Sequence, residues 1–275
     1  MISRRTMLAG TAGLASSTLT GCAAPRSAPR LSRVDRPPPP LALRLDAVID
    51  ISHRVAVSDF ALVRRSQILA VVHKASEGGD WVDPLYAVRR RQAEAAGLLW
   101  GAYHFGTHQY SGAEQAAAFI AAAQPDPATL IALDFEPNEQ HPANTMELAQ
   151  AEAFVHAVHD RTGRLPLVYT HPIWANGGPY GRAGVSLGAA ISPRSILARC
   201  DLWLADYRDG PETPLAWADR GWRMWQYSGD DPGDPDGPYG APHRPVAGVD
   251  YCDRNLFIGD PPALYRFWKG GGAGV

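Results

Sequence analysis

From Leu45 onward, short apolar runs alternate with longer amphipathic stretches. Leu45 to Ile51 is largely apolar, with Asp50 and Ser52 at its end. Ile68 to Lys74, Leu98 to Phe105, Leu130 to Leu133, Leu165 to Thr170, Leu202 to Tyr207 and Trp222 to Ser228 share that character. Short apolar runs of this kind predict strands covered on both faces. Between them, Pro84 to Ala96, Ser111 or Gly112 to Ala123, and Thr145 to Arg161 read as helices. Gly97 stops the first, Pro125 follows the second, and Asn144 is a candidate cap for the third. Alternation of strands and helices predicts an α/β chain with a parallel sheet. No G-x-G-x-x-G follows the first strand, which weighs against a dinucleotide fold. Polar residues instead recur at strand C-termini: Asp50, Lys74, His104, Asp134, Glu136, Tyr169, Asp206 and Gln226. A β/α barrel builds its active site at that end. The expected architecture is therefore a modified TIM-like β/α barrel in a single domain.

The residues before Leu45 read differently. Residues 1–22 resemble an export signal: Arg4-Arg5 precede a mild apolar stretch, the twin-arginine arrangement, and Leu19-Thr20-Gly21-Cys22 resembles a lipobox. Cys22 is thus the expected lipidation site, with an ordinary cleaved signal as the alternative. Residues 23–44 hold five arginines, four of them (Arg26, Arg30, Arg33 and Arg36) ahead of the run Pro37-Pro38-Pro39-Pro40, the composition of an extended, stiff tether. Residues 45–275 are then the folded domain, long enough for a sizeable core. The expected location is exported and membrane-anchored, facing the periplasm or the cell exterior.

Charge and cysteine content narrow the partners. The net charge of −2 moves to about −4 once Arg4 and Arg5 leave with the signal. An acidic domain is a poor match to nucleic acid. The two remaining cysteines, Cys200 and Cys252, are either a disulfide or two buried thiols, and spacing leaves both open. A monomer is the expected state.

The chemistry centres on Leu130-Ile-Ala-Leu-Asp134-Phe-Glu136. Two acids two residues apart on a strand share a face, with Cα atoms roughly 6.5 Å apart. Pro137 then ends the ladder. Adjacent carboxylates repel, so one pKa rises and that group holds a proton near neutrality. Such a pair suits glycoside hydrolysis. By itself the tripeptide is more readily a strand end with two solvated or Arg-paired acids.

Seven motifs in order resemble glycoside hydrolase family 25, the lysozymes typified by fungal and phage muramidases. Asp50-Ile51-Ser52 resembles its D-x-S, and Val72-His-Lys74-Ala-Ser-Glu77-Gly78 its I-K-A-T-E-G. Tyr103-His104-Phe105, Asp134-Phe135-Glu136 and Trp225-Gln226-Tyr227 resemble its Y-H-F, D-x-E and W-Q-Y. Leu202-Trp203-Leu204-Ala205-Asp206-Tyr207 resembles L-W-I-A-x-Y, and Cys252-Asp253-Arg-Asn-Leu-Phe257 the closing V-D-x-N-x-F. The resemblance implies a muramidase acting on peptidoglycan without a cofactor or metal. It implies Glu136 as proton donor, Asp134 beside it, and Asp50 and Asp253 as further site carboxylates. It also implies net retention, with the substrate's own 2-acetamido group as nucleophile. Tyr103, His104, Lys74, Tyr169, Asp206, Trp225 and Gln226 are the candidate substrate-binding residues. Two departures stand out. The loop His53 to Phe60 differs from the family's, and the stretch from Trp174 to Arg199 matches no motif. Asp250 competes with Asp253 for the last carboxylate.

Other readings compete. Tyr103 and Trp225, each within a motif, are expected to line the cleft, whereas Trp81, Trp174 and Tyr207 are as readily core as sugar platforms. His104 and His108 form H-x-x-x-H, which opens a metal-dependent polysaccharide deacetylase reading, although Gly106-Thr107 points to a loop. A non-enzymatic peptidoglycan-binding lipoprotein is the third class. Clustered acids weigh against it, because a binding cleft has no need of their repulsion.

Overall fold

The computed structural model describes residues 44–208, 210–229 and 245–270. The predicted signal, Cys22 and the tether up to residue 43 lie outside the described residues. In chain order the elements are β1 (Arg44–Ile51), α1 (Phe60–Arg65), β2 (Ala70–Glu77), β3 (Trp81–Val82), α2 (Tyr86–Ala95), β4 (Leu99–Phe105), α3 (Gly112–Ala123) and β5 (Leu130–Asp134). There follow α4 (Leu148–Thr162), β6 (Leu167–Thr170), α5 (Pro172–Ala175), β7 (Leu202–Ala205), β8 (Met224–Ser228), β9 (Asp253–Ile258) and α6 (Pro261–Lys269).

Strand β1 pairs in parallel with β2 and antiparallel with β9, which closes eight strands into a barrel, and β3 adds a two-residue edge to β2. From β1 through β8 the barrel strands run parallel, as the alternation predicts. The eighth barrel strand, β9, departs from that expectation by running antiparallel to both neighbours. Its sequence, Asp-Arg-Asn-Leu-Phe-Ile, opens on three polar residues and so offers no apolar run to read.

The local rules account for most helix ends. Ser111 and Glu114 form a reciprocal capping box at the start of α3. Gly163 (φ 70°) ends α4 in the left-handed region, where a residue without Cβ carries no strain. Helix α4 starts at Leu148 rather than Thr145, and Asn144 does not cap it. The Asn144 side-chain Oδ1 accepts the backbone N–H groups of His108 and Gln109 at 3.1 and 3.0 Å. Glu147 and Gln150 cap α4 instead.

Packing divides into two layers. Ile49, Val71, Trp100, Ile131, Leu133, Val168, Leu202 and Leu204 face outward onto the helices. Val48, Ala70, Val72, Leu130, Ala132, Leu167, Trp203 and Met224 face inward. The inner layer also holds Leu264, Phe267 and Trp268 of α6. This helix is amphipathic, and its apolar face stops the N-terminal end of the barrel. Gly101 makes room for it: a Cβ there would lie 3.3 Å from the Trp268 ring and 3.2 Å from Val72. The Trp268 indole N–H donates to the Trp100 carbonyl at 2.7 Å. With the bottom filled, a groove can open only at the strand C-termini. Cys200 and Cys252 are both buried and are not joined to each other.

Trp268→Ala should cost about 3–5 kcal/mol, through lost burial and an unfilled cavity. Urea unfolding of the two proteins checks this, and a difference under about 1 kcal/mol would remove α6 from the core.

Candidate active site

Alternation decides which side chains reach the groove. On β5, Leu130, Ala132 and Asp134 face inward while Ile131, Leu133 and Phe135 face the helices. Glu136 follows in the same phase. Both acids therefore line one cavity of about 240 Å³, with Asp50, Tyr103, Tyr169, Trp203, Tyr207, Gln226, Gly229 and Asp253. Asp253 lies directly opposite Asp50 in the β1–β9 ladder. Asp250 is exposed on the preceding loop and does not line the cavity.

Asp50 sits at the hub of a hydrogen-bond network across the barrel. Asn255 donates to its carboxylate at 2.7 Å and Gln226 at 3.1 Å. The carbonyl of Gln226 accepts the hydroxyls of Tyr169 (2.8 Å) and Tyr207 (2.7 Å). Asn255 in turn accepts the Trp203 indole N–H at 2.6 Å. Burial pushes both tyrosine hydroxyls well above their usual range, so they remain donors.

The acid pair is tied down less. Asp134 Oδ1 is buried and has no hydrogen-bond partner among the described residues. Burial raises the Glu136 carboxyl to about 7, helped by the charges of Glu139 and Asp50 and opposed by Lys74. Asp134 also rises, first through burial and then through Glu136. Burial thus outweighs the mutual crowding that the sequence suggested. The pair carries less than its full charge near neutral pH.

The cavity continues into a groove. A neighbouring hollow of about 280 Å³ shares Tyr103, Asp134 and Glu136 and adds Lys74, Glu77, His53 and Arg54. A third, of about 270 Å³, extends to Trp81 and Tyr110. A larger hollow of about 420 Å³ lies beside α1 and α2. Its one acid, Asp59, caps α1, so it offers no acid pair.

The glycosyl hydrolases family 25 profile matches residues 49–233, more than half of the chain. The chain belongs to this family. As a family 25 protein it is a glycoside hydrolase. Among solved structures, it resembles the bacterial lysozyme from Streptomyces coelicolor, at 25% identity and TM-score 0.65, over 82% of this chain and 97% of that one. The muramidase from Acremonium alcalophilum is similar at 27% identity and TM-score 0.63, over 81% and 98%. That from Trichobolus zukalii is similar at 26% identity and TM-score 0.63, over 81% and 98%. Comparison with curated proteins finds no significant match.

Of the substrate-binding candidates in this family 25 hydrolase, Tyr103, Lys74, Tyr169 and Gln226 line the groove. Three candidates do not. His104 is fully buried, stacked on Phe154 at 4.9 Å, with its ring nitrogens on Ser76 (2.9 Å) and Gln115 (3.2 Å). Trp225 is also fully buried and donates to the Asp206 carbonyl at 2.6 Å. Asp206 is buried, with its carboxylate held by Arg208 at 2.8 Å. Each is out of phase with an inward neighbour: His104 follows Tyr103, Trp225 precedes Gln226, and Asp206 follows Ala205. Two adjacent strand residues cannot both face the barrel interior. The same rule, counted back from Ala205, brings in Trp203, which motif matching overlooked.

The remaining aromatics separate cleanly. Trp81 and Tyr207 line the groove, whereas Trp174 packs against Phe135 at 5.8 Å. His108 is exposed and 3.5 Å from Glu147, on different surroundings from His104. Among the described residues, no group of three or more His, Cys, Asp or Glu side chains is arranged to hold a metal. The unmatched stretch after Trp174 lies against the groove wall. The backbone N–H of Arg182 donates to the Glu139 carboxylate at 3.0 Å, and His171 stacks on Tyr180 at 3.9 Å.

Glu136 links pH to stability. Its folded value of about 7 exceeds its ordinary 4.5. Between these values the folded chain binds more protons than the unfolded one, so stability falls as pH rises. The cost is complete above about pH 7 and amounts to roughly 3 kcal/mol. Glu136→Gln removes it, so its stability relative to wild type should rise by about 1–3 kcal/mol from pH 5 to pH 8. Urea unfolding at both pH values tests this, and a pH-independent difference would place the titration elsewhere.

Proposed function

We propose that this hydrolase is a muramidase, cutting the β-1,4 bond between N-acetylmuramic acid and N-acetylglucosamine in peptidoglycan with net retention. The observation that carries the reading is the pair Asp134 and Glu136, facing one groove where burial keeps a proton on the pair at neutral pH. Glycosidic cleavage needs such a proton for the leaving oxygen. Glu136 is the donor, because it keeps contact with solvent at the groove whereas Asp134 is buried. The lysozyme and muramidase names of the similar structures agree with the bond chosen.

Asp134 takes a different part. Its Oδ1, without a partner among the described residues, accepts the N–H of the substrate's 2-acetamido group. The acetamido oxygen then attacks the anomeric carbon as the glycosidic bond breaks and Glu136 protonates the leaving oxygen. Water opens the resulting oxazolinium from the opposite face, returning its proton to Glu136. This substrate-assisted course gives net retention without an enzyme nucleophile. Asp50 and Asp253 add negative charge on the side where positive charge develops. Tyr103, Tyr169 and Gln226 hold sugar hydroxyls and acetamido groups.

The N-terminal sequence places this activity. Cys22 becomes a lipidated first residue, and the Pro-rich tether holds the enzyme, as a monomer, off a membrane and against the wall. Remodelling of the cell's own peptidoglycan is the corresponding role. Cys22→Ser should move the protein from the membrane to the soluble fraction. An unchanged membrane fraction would end the anchor reading.

Full-length protein incubated with purified peptidoglycan should release fragments with reducing N-acetylmuramic acid ends, read by mass spectrometry. Glu136→Gln should lower the rate about 10²–10⁴-fold. Reducing N-acetylglucosamine ends would move the cut to the other bond. Glycan stripped of N-acetyl groups should resist cleavage, and cleavage at an undiminished rate would overturn the acetamido nucleophile.

A further inference from the structure

A contact between opposite walls crosses the outer arm of the groove. Arg54, in the loop after β1, donates through both Nη1 and Nη2 to the Gln140 side-chain oxygen at 3.0 Å, in the amide orientation that satisfies both groups. Gln140 belongs to the loop that leaves Glu136. Both loops are anchored beneath the contact. His53 holds the buried Asp83 carboxylate through its backbone N–H (2.9 Å) and Nδ1 (3.0 Å). On the far side, Asn138 takes a hydrogen bond from the His141 backbone (2.8 Å) and gives one to Thr145 (3.0 Å). The guanidinium fork is thus presented over the groove from a fixed base.

Its charge is unmatched there. Lys74, the other cation with a fixed charge in this arm, is neutralised by Glu77 at 2.6 Å. Arg54 has no carboxylate partner among the described residues; a neutral amide occupies its fork. A planar guanidinium binds a carboxylate with two parallel hydrogen bonds more strongly than it binds an amide. A glycan strand entering the arm has to part this bridge, which frees the fork as the substrate arrives.

We propose that Arg54 is a specificity-determining residue that exchanges Gln140 for a carboxylate carried on the glycan. The outer arm then favours carboxylate-bearing glycan over neutral amino-sugar polymer. The proposal rests on the muramidase reading. Two parts of peptidoglycan supply the group: carboxylates of the stem peptide, and the lactyl carboxylate where the peptide has been removed. The family's motifs contain no counterpart of Arg54, since it lies in the loop where this sequence departs from them.

The test measures kcat and KM for full-length wild type, Arg54→Gln and Arg54→Lys on two glycans, and the inhibition constant of a third that lacks the cleaved bond. These are peptide-bearing peptidoglycan, amidase-stripped glycan with free lactyl carboxylates, and a neutral N-acetylglucosamine hexamer. Arg54→Gln should raise KM about 3–10-fold on at least one carboxylate-bearing glycan, with kcat moving less than about twofold. The hexamer carries no muramic acid bond and is read as a competitive inhibitor, and the ratio of its inhibition constants should stay near one. A rise on the stripped glycan identifies the lactyl group, and a rise confined to the peptide-bearing one identifies the stem peptide. Arg54→Lys, which keeps the charge and loses the fork, should recover part of the loss. Equal loss on all three glycans, or none on any, overturns the proposal. Thermal midpoints of the three proteins separate a folding defect from either outcome. If wild type cleaves none of the glycans, the muramidase reading fails by itself. Sedimentation of the protein with the two insoluble glycans, against hexamer competition, then still reads the Arg54 preference.

Discussion

Closure of the barrel is the constraint from which the rest follows. Because β1 bonds to both β2 and β9, no strand of the barrel keeps an open side, and every residue faces either the interior or the helices. The interior tapers from apolar at the α6 end to polar at the strand C-termini. Leu130, Ala132 and Asp134 on one strand show the whole gradient. Acids placed at the top of an inward column are thereby desolvated together, without any element devoted to that purpose.

Desolvation is costly, and the surrounding structure shows where it is offset. Asp50 receives hydrogen bonds from Asn255 and Gln226, and two tyrosines and an indole fix those amides in turn. That network ties β1, β6, β7, β8 and β9 into one rigid side. Asp134 and Glu136 on the opposite side lack comparable support, and their pKa values rise instead. The division between a held carboxylate and a protonated pair is what gives the groove two kinds of acid at one pH.

Much of this was legible beforehand because it depends on local pattern. The strands from Leu45, Leu98 and Leu130, and helix α3 with its Ser111 cap, emerge from apolar runs and capping chemistry within a few residues. Asp253 was separable from Asp250 by the order of its neighbours. The errors share one cause. His104, Asp206 and Trp225 were selected because they belong to recognisable motifs, yet their phase on the strand turns them toward the helices. Strand β9 escaped notice because three of its six residues are polar; Asp46 on β1 accepts from Arg254 and Asp50 from Asn255.

The sequence by itself determined the alternation of strands and helices, the D-x-E at a strand end, and membership of a hydrolase family. Those features reside in short-range periodicity and in residue order, which a linear chain carries in full. Only the tertiary structure decided which of two neighbouring polar residues enters the groove, that α6 closes the opposite end, and that Arg54 meets Gln140 across the outer arm. These depend on the phase of each strand in a closed barrel and on loops 86 residues apart in the chain, neither of which local pattern encodes.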